Sequence, residues 1–290
     1  MFVVCGVTGR TGAVVAEGLL AAGKQVRVVV RDASRGEPWK AKGAVVAEAS
    51  FDDREALERA LRGATGGYFL LPPNTTARDA LAEARATTDA IAQAVEGAGL
   101  LHGVLLSSMA AHLAAGTGII RSLHHAERRL AETPARWTFV RAGYFVENFG
   151  AQLAAAAQGT LPSFIRPGLG IPMVASRDVG LTVLRALLSG PPAAHVEVIE
   201  LSGPREHSAE DVARALAGLL EREVTALAAP EEAVVPTFTG MGVSPDVAEL
   251  YREMFHGMNE GTVVFEGGGA RALRGELDLE GVLAGMLGGR

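Results

Sequence analysis

The chain has 290 residues, 48% of them hydrophobic and 21% charged, with a formal net charge of −6. That composition excludes a disordered chain and allows a large buried core. The acidic balance speaks against nucleic acid as an electrostatic partner, because phosphate binding wants a basic face.

In chain order, FVVCG (2–6) is a short β-branched run ended by glycine, as a buried parallel strand should be. RTGAVVAEGLLAAG then sets Val14, Val15, Gly18 and Leu19 on one helical face and stops at Gly23. QVRVVVR predicts a second strand, AVVAEA (44–49) a third and DREALERALRG a helix. GGYFLLP (66–72) predicts a fourth strand, followed by a long amphipathic helix in ARDALAEARATTDAIAQAVEGAG. HGVLLSS (102–108) is the fifth strand, RSLHHAERRLAET a helix and WTFVRAG (137–143) the sixth strand. Beyond residue 148 the rhythm loosens. A helix is expected from Asn148 to Gln158, and SFIRPGLGIPM reads as a loop or edge strand. SRDVGLTVLRALLSG is helical, VEVIELSG (196–203) a returning strand, and Ser208 caps the helix SAEDVARALAGLLER. TVVFEG predicts a last short strand and DLEGVLAGMLG a last helix.

Strand–helix alternation with short glycine-bearing connections calls for an α/β fold, a doubly wound parallel sheet of the Rossmann type, with a smaller C-terminal α/β lobe. We divide the chain into a dinucleotide-binding domain at 1–148, with returning elements at about 174–203, and a mainly substrate-binding lobe at 149–290. No run has the basic flank, apolar stretch and cleavage site of a signal peptide, and none is long and apolar enough to span a membrane. The single cysteine, Cys5, sits mid-strand as a buried inert thiol. A cytoplasmic location and a monomer or homodimer are expected.

GVTGRTG follows strand one and opens a helix, the context in which a glycine loop cradles a pyrophosphate. Gly6 permits the tight turn, Gly9 lets the backbone approach the phosphates and Gly12 lets the helix pack close to the sheet. Thr8, Arg10 and Thr11 complete the loop. At the end of strand two Arg31 and Asp32 compete: an acid there bonds a ribose 2′-OH, an arginine a 2′-phosphate. Arg31 with Arg10 favours NADPH over NADH. Topology sets Ser50 and Phe51 beside the adenine, Leu70, Leu71 and Pro72 along the ribose and diphosphate, and Ser107 and Ser108 near the nicotinamide.

With these pieces in place the chain resembles the NmrA-like branch of the atypical short-chain dehydrogenases/reductases. The resemblance runs through GVTGRTG, VRVVVRD, SFDDREAL, GYFLLPP, VLLSSM and, most tellingly, WTFVRAGYFVENF, with SRDVG and VIELSGP following in order. It departs at Ser50, where the family often has aspartate, and at Ala142, where it often has proline. The resemblance implies either an NADPH-dependent reductase of quinones, azo dyes or triphenylmethane dyes, or a regulator that binds the dinucleotide without turnover.

Typical short-chain dehydrogenases use a Tyr-x-x-x-Lys pair, which this chain lacks: its tyrosines are Tyr68, Tyr144 and Tyr251, and none has a lysine four residues on. The corresponding helix offers His124 and His125, of which a step of about 100° lets one face the cofactor, and we take His124 as the candidate proton donor. The adjacent pair has poor geometry for a metal. Without a built-in acid, an acceptor that delocalises charge is favoured, a small aromatic molecule of the quinone or azo type. In GYFVEN, Tyr144 and Phe145 would wall its pocket and Asn148 would bond an acceptor oxygen. Phe238, Met241, Met254 and Phe255 add a flexible apolar set.

Overall fold

The computed structural model describes residues 1–288. In chain order the first half forms β1 (Phe2–Cys5), α1 (Arg10–Ala21), β2 (Val26–Val30), α2 (Glu37–Ala41) and β3 (Val45–Glu48). Then come α3 (Arg54–Leu61), β4 (Gly66–Phe69), α4 (Ala80–Ala98), β5 (His102–Ser108), α5 (Arg121–Ala131) and β6 (Arg136–Ala142). The chain continues through β7 (Tyr144–Phe145), α6 (Leu153–Ala156), β8 (Thr160–Ser163), β9 (Ile171–Val174), α7 (Ser176–Ser189) and β10 (Val196–Ser202). It closes with β11 (Glu206–His207), α8 (Ala209–Leu220), β12 (Thr225–Ala228), α9 (Val234–Gly240), α10 (Pro245–Asn259), β13 (Arg271–Arg274) and α11 (Leu279–Leu287).

Eight strands make one parallel sheet in the order β3-β2-β1-β4-β5-β6-β10-β13. The direction of winding reverses between β1 and β4, so a crevice opens there beyond the strand ends. Alternating strand residues feed two separate cores, which is why these strands read as continuous apolar runs. Val4, Val28 and Tyr68 meet Val15, Leu19 and Val183 of α1 and α7 on one face. Val3, Phe69 and Trp137 meet Leu57, Ile91 and Leu130 of α3, α4 and α5 on the other. A third core, around Phe149, Leu161, Met173, Leu216 and Phe255, fills the later segments, whose short strands form β11-β9-β7 and β12-β8.

Two expectations are corrected. The helix read from Asn148 to Gln158 is a 3₁₀ segment, Val146–Gln152, running into the single-turn α6. Val146 and Phe149 both enter the third core, and their three-residue spacing matches the 3₁₀ period. TVVFEG is not a strand: Ala110 N–H donates to the Val264 carbonyl, and the Glu266 and Gly267 N–H groups are taken by the Glu200 carboxylate. The last strand is β13, which adds to the edge of the main sheet beside β10. SFIRPGLGIPM resolves into the end of β8, a turn and the start of β9.

Packing against Trp137 sets a tight limit on β5. A Cβ at Gly103 would lie 2.5 Å from Trp137 Cη2, and the indole is fully buried. Gly103→Ala is therefore expected to destabilise the fold by about 1–3 kcal/mol through overpacking. Urea denaturation with an unchanged slope is the measurement that checks it.

Candidate dinucleotide and acceptor site

The glycine loop is built for close approach. Gly6 adopts φ +69°, where a side chain is disfavoured, and its carbonyl accepts the Gly9 N–H at 2.9 Å. A Cβ at Gly12 would come 2.6 Å from the Gly6 carbonyl carbon, so only glycine lets α1 sit this near β1. Leu70 packs directly beneath Gly6. Side chains cap α3 (Asp53), α4 (Asp79), α8 (Ser208 with Asp211), α10 (Ser244) and α11 (Asp278). By contrast α1 starts at Gly9 with no side-chain cap and no acid in its first turn. Its leading N–H groups and positive dipole end face the crevice at the β1–β4 reversal, which is a ready anion site.

Around this loop the structure sorts the residues expected to bind the dinucleotide. Thr8, Gly9 and Arg10 are exposed at its rim. The Thr11 hydroxyl is committed to Tyr68 at 2.8 Å in the core, leaving the Thr11 backbone at the helix start. Arg31 is exposed at the end of β2 and forms no ion pair among the described residues. Asp32 turns its carboxylate onto the Ser34 N–H at 2.9 Å, capping its own turn, and that bond holds it below the usual carboxylate range. The Ser50 hydroxyl and the Arg31 charge likewise lower Asp52, so Ser50, Asp52 and Arg31 gather at one corner. Phe51 and Leu71 are half-buried on one core and Leu70 on the other, with Pro72 exposed beyond them. Ser108 is half-buried, whereas Ser107 points inward and donates to Glu127 at 2.5 Å.

Tyr144 and Asn148 come together on the far side. Burial pushes the Tyr144 phenol up to about 12, opposed by a hydrogen bond with Asn148, so it stays neutral and able to donate. Its ring meets Phe149 edge-on at 5.9 Å. His124 is not shown against either of them: its Nδ1 faces the Ala111 carbonyl at 2.9 Å, which fixes the ring on the β5–α5 loop. That loop holds Ala110 buried at φ +63°, a strained conformation for a side-chain-bearing residue. Phe238 stacks on Tyr251 at 4.8 Å and Phe255 meets Phe164 at a tilt at 5.5 Å, while Met241 is exposed.

The sequence reading missed the network beneath the site. Arg141 of β6 and Glu127 of α5 are both buried and paired at 2.6 Å, with the Arg141 Nε also donating to Glu127 at 3.0 Å. Arg141 donates in addition to Glu266 at 2.5 Å, and Glu266 N–H donates to Glu200 at 2.8 Å. Burial works against the Arg141 charge, but the two carboxylates outweigh it and hold its pKa above the ordinary value. In the same region Glu147 accepts the Ser176 N–H at 2.9 Å and so caps α7. A lone arginine inside the apolar run WTFVRAG was a visible signal, since a charge on a buried strand demands a partner. Nothing in TVVFEG marked Glu266 as that partner.

The chain matches the family model described as NmrA-like over residues 1–266. It belongs to the NmrA-like family. Among curated relatives, NAD(P)H azoreductase of Xenophilus azovorans is 27% identical over 259 residues, covering 88% of this chain and 86% of the relative. The NADPH-dependent quinone oxidoreductase of Escherichia coli, solved with NADPH, superposes with a TM-score of 0.82 at 20% identity, over 99% of this chain and 100% of that one. NmrA, a negative transcriptional regulator solved with NAD, superposes at 0.73 with 18% identity, over 98% and 94%. At these identities the solved structures share the fold and no more.

The buried pair generates a stability prediction. Glu127→Ala should cost about 3–5 kcal/mol, because it strands the Arg141 charge, whereas the Glu127→Leu/Arg141→Met double variant should cost less than the sum of its singles. A double-mutant cycle by urea denaturation reads both outcomes.

Proposed function

We propose that this NmrA-like chain is an NADPH-dependent reductase that passes hydride directly to a conjugated aromatic acceptor of the quinone or azo type. The observation that carries the reading is the uncapped N-terminus of α1 behind a glycine loop too tight for any side chain at Gly12, with Arg10 and Arg31 exposed beside it. The name of the azoreductase relative supports the reaction class. When bound, the reduced nicotinamide supplies the hydride. The loop amides of residues 6–12 hold the diphosphate, and Arg31 with Arg10 meets a 2′-phosphate, while Asp32 is committed to its own turn. Ser50 and Phe51 flank the adenine, Leu70, Leu71 and Pro72 line the ribose side, and Ser108 is the serine left free for the nicotinamide.

Residues 1–148 with the returning 174–203 elements hold the dinucleotide, and the 149–290 segment walls the acceptor. Tyr144 donates to the acceptor as a neutral phenol, Asn148 orients it, and solvent returns the proton. Because an acceptor of this type delocalises the incoming charge, positioning outweighs acid catalysis. Since burial lifts Tyr144 to about 12, its loss of a proton affects turnover only in strongly alkaline solution: the neutral donor is present below that value and lost as pH rises through it. A kcat profile flat from neutrality to pH 10 is expected.

Steady-state NADPH oxidation against quinones, azo dyes and ketones tests the reading. Turnover is expected with the first two classes, and tight binding of NADPH with no turnover across the panel sinks it in favour of a dinucleotide sensor. Arg31→Asp should weaken NADPH by about tenfold or more, roughly 1.4 kcal/mol, and NADH far less. Fluorescence titration with both cofactors measures it, and equal loss for the two refutes the assignment.

A further inference from the structure

A cleft of about 400 Å³ lies between α4 and α5, and no residue assigned to the dinucleotide lines it. Arg85 of α4 meets Arg121, Arg128 and Arg129 of α5 across it, with a single carboxylate, Glu132, on its wall. This is a local inversion in a chain of 27 basic and 33 acidic side chains. The four guanidinium groups are not equally satisfied. Arg129 is held by Asp89 and Glu96, each at 3.3 Å, and Arg121 reaches Glu253 at 3.6 Å. Arg85 and Arg128 are exposed and form no ion pair among the described residues.

Two histidines line the same cleft. His124 is anchored to the Ala111 carbonyl, whereas the buried Nε2 of His125 has no hydrogen-bond partner. Burial pushes His125 below its ordinary value. The Asp89 and Glu132 charges oppose that shift, and the Arg85 and His124 charges reinforce it. Like-charged guanidiniums brought together from two helices repel one another unless an anion lies between them, and their planar forks match a tetrahedral oxyanion. Leu81 and Ala114 give the cleft an apolar wall.

We propose that this cleft is a second ligand site, which binds a phosphate- or sulfonate-bearing small molecule through Arg85, Arg121 and Arg128. His125 is the reporter built into it: burial is the main cause of its depression and the Arg85 charge adds to it, so an anion held beside Arg85 offsets that charge and moves the imidazole upward.

Proton NMR titration of the histidine C2 resonances, with NADPH present and ionic strength held by sodium chloride, tests the proposal. His125→Gln assigns the reporter signal. Inorganic phosphate should move the His125 titration midpoint upward in a saturable way. Arg85→Gln/Arg128→Gln should abolish the movement while its thermal midpoint stays that of the parent, and Arg85→Lys/Arg128→Lys should keep part of it. The Arg31→Asp protein should respond like the parent, which separates this cleft from the glycine loop and from the reductase reading. Phenyl phosphate in parallel distinguishes the sources: tighter binding than inorganic phosphate identifies an organic ligand whose arm lies on Leu81, and equal binding identifies the free anion. An unmoved His125 midpoint, or the same movement in the double glutamine variant, overturns the proposal.

Discussion

A buried guanidinium governs the construction of this molecule. Arg141 occupies a strand whose neighbours are Val140 and Ala142, all of them shielded from water, and a charge in that setting is tolerable only if fully paired. Glu127 meets it from α5, Ser107 from β5 braces Glu127, and Glu266 closes the remaining side. Glu266 is brought there by Glu200 of β10, which takes two successive backbone N–H groups of the late loop. One charge therefore fastens the fifth, sixth and tenth strands, the fifth helix and a segment more than a hundred residues away in sequence. The loop after β5, with strained Ala110, hangs on the same segment through the Val264 carbonyl. The edge of the site is thus set by electrostatic satisfaction below it.

The other edge is set by glycine. Strand, turn and helix can meet at residues 6–12 only because Gly12 lacks a side chain, and the uncapped start of α1 leaves donors where an anion is wanted. Five helices are capped by Asp or Ser and α7 by Glu147, whereas α1 begins at Gly9 with no side-chain cap, giving up a little helix stability and leaving its first N–H groups to an anion.

Much of this was legible in the sequence. Each of the six strands through residue 143 lies where β-branched runs and glycine stops put it, and Ser208 caps its helix with the full reciprocal box. What failed was the region where backbone donors go to side chains instead of to neighbouring strands. TVVFEG has strand composition, yet its N–H groups serve Glu200. The segment after Asn148 has helical composition, yet it opens as the 3₁₀ run Val146–Gln152, in which Val146 and Phe149 enter the same core. Side-chain partners such as Thr11 with Tyr68, or Ser107 with Glu127, depend on crossings between distant elements that local pattern does not encode.

The central claim is that hydride leaves a dinucleotide held on the glycine loop and reaches a flat acceptor without a tyrosine–lysine pair. Single-turnover oxidation of NADPH deuterated at nicotinamide C4, mixed rapidly with a quinone, tests it most directly. The account predicts that the deuterated cofactor is oxidised more slowly than the protiated one, with no comparable slowing in deuterium oxide. Oxidation at equal rates for both isotopologues, or none at all with cofactor bound, would contradict it.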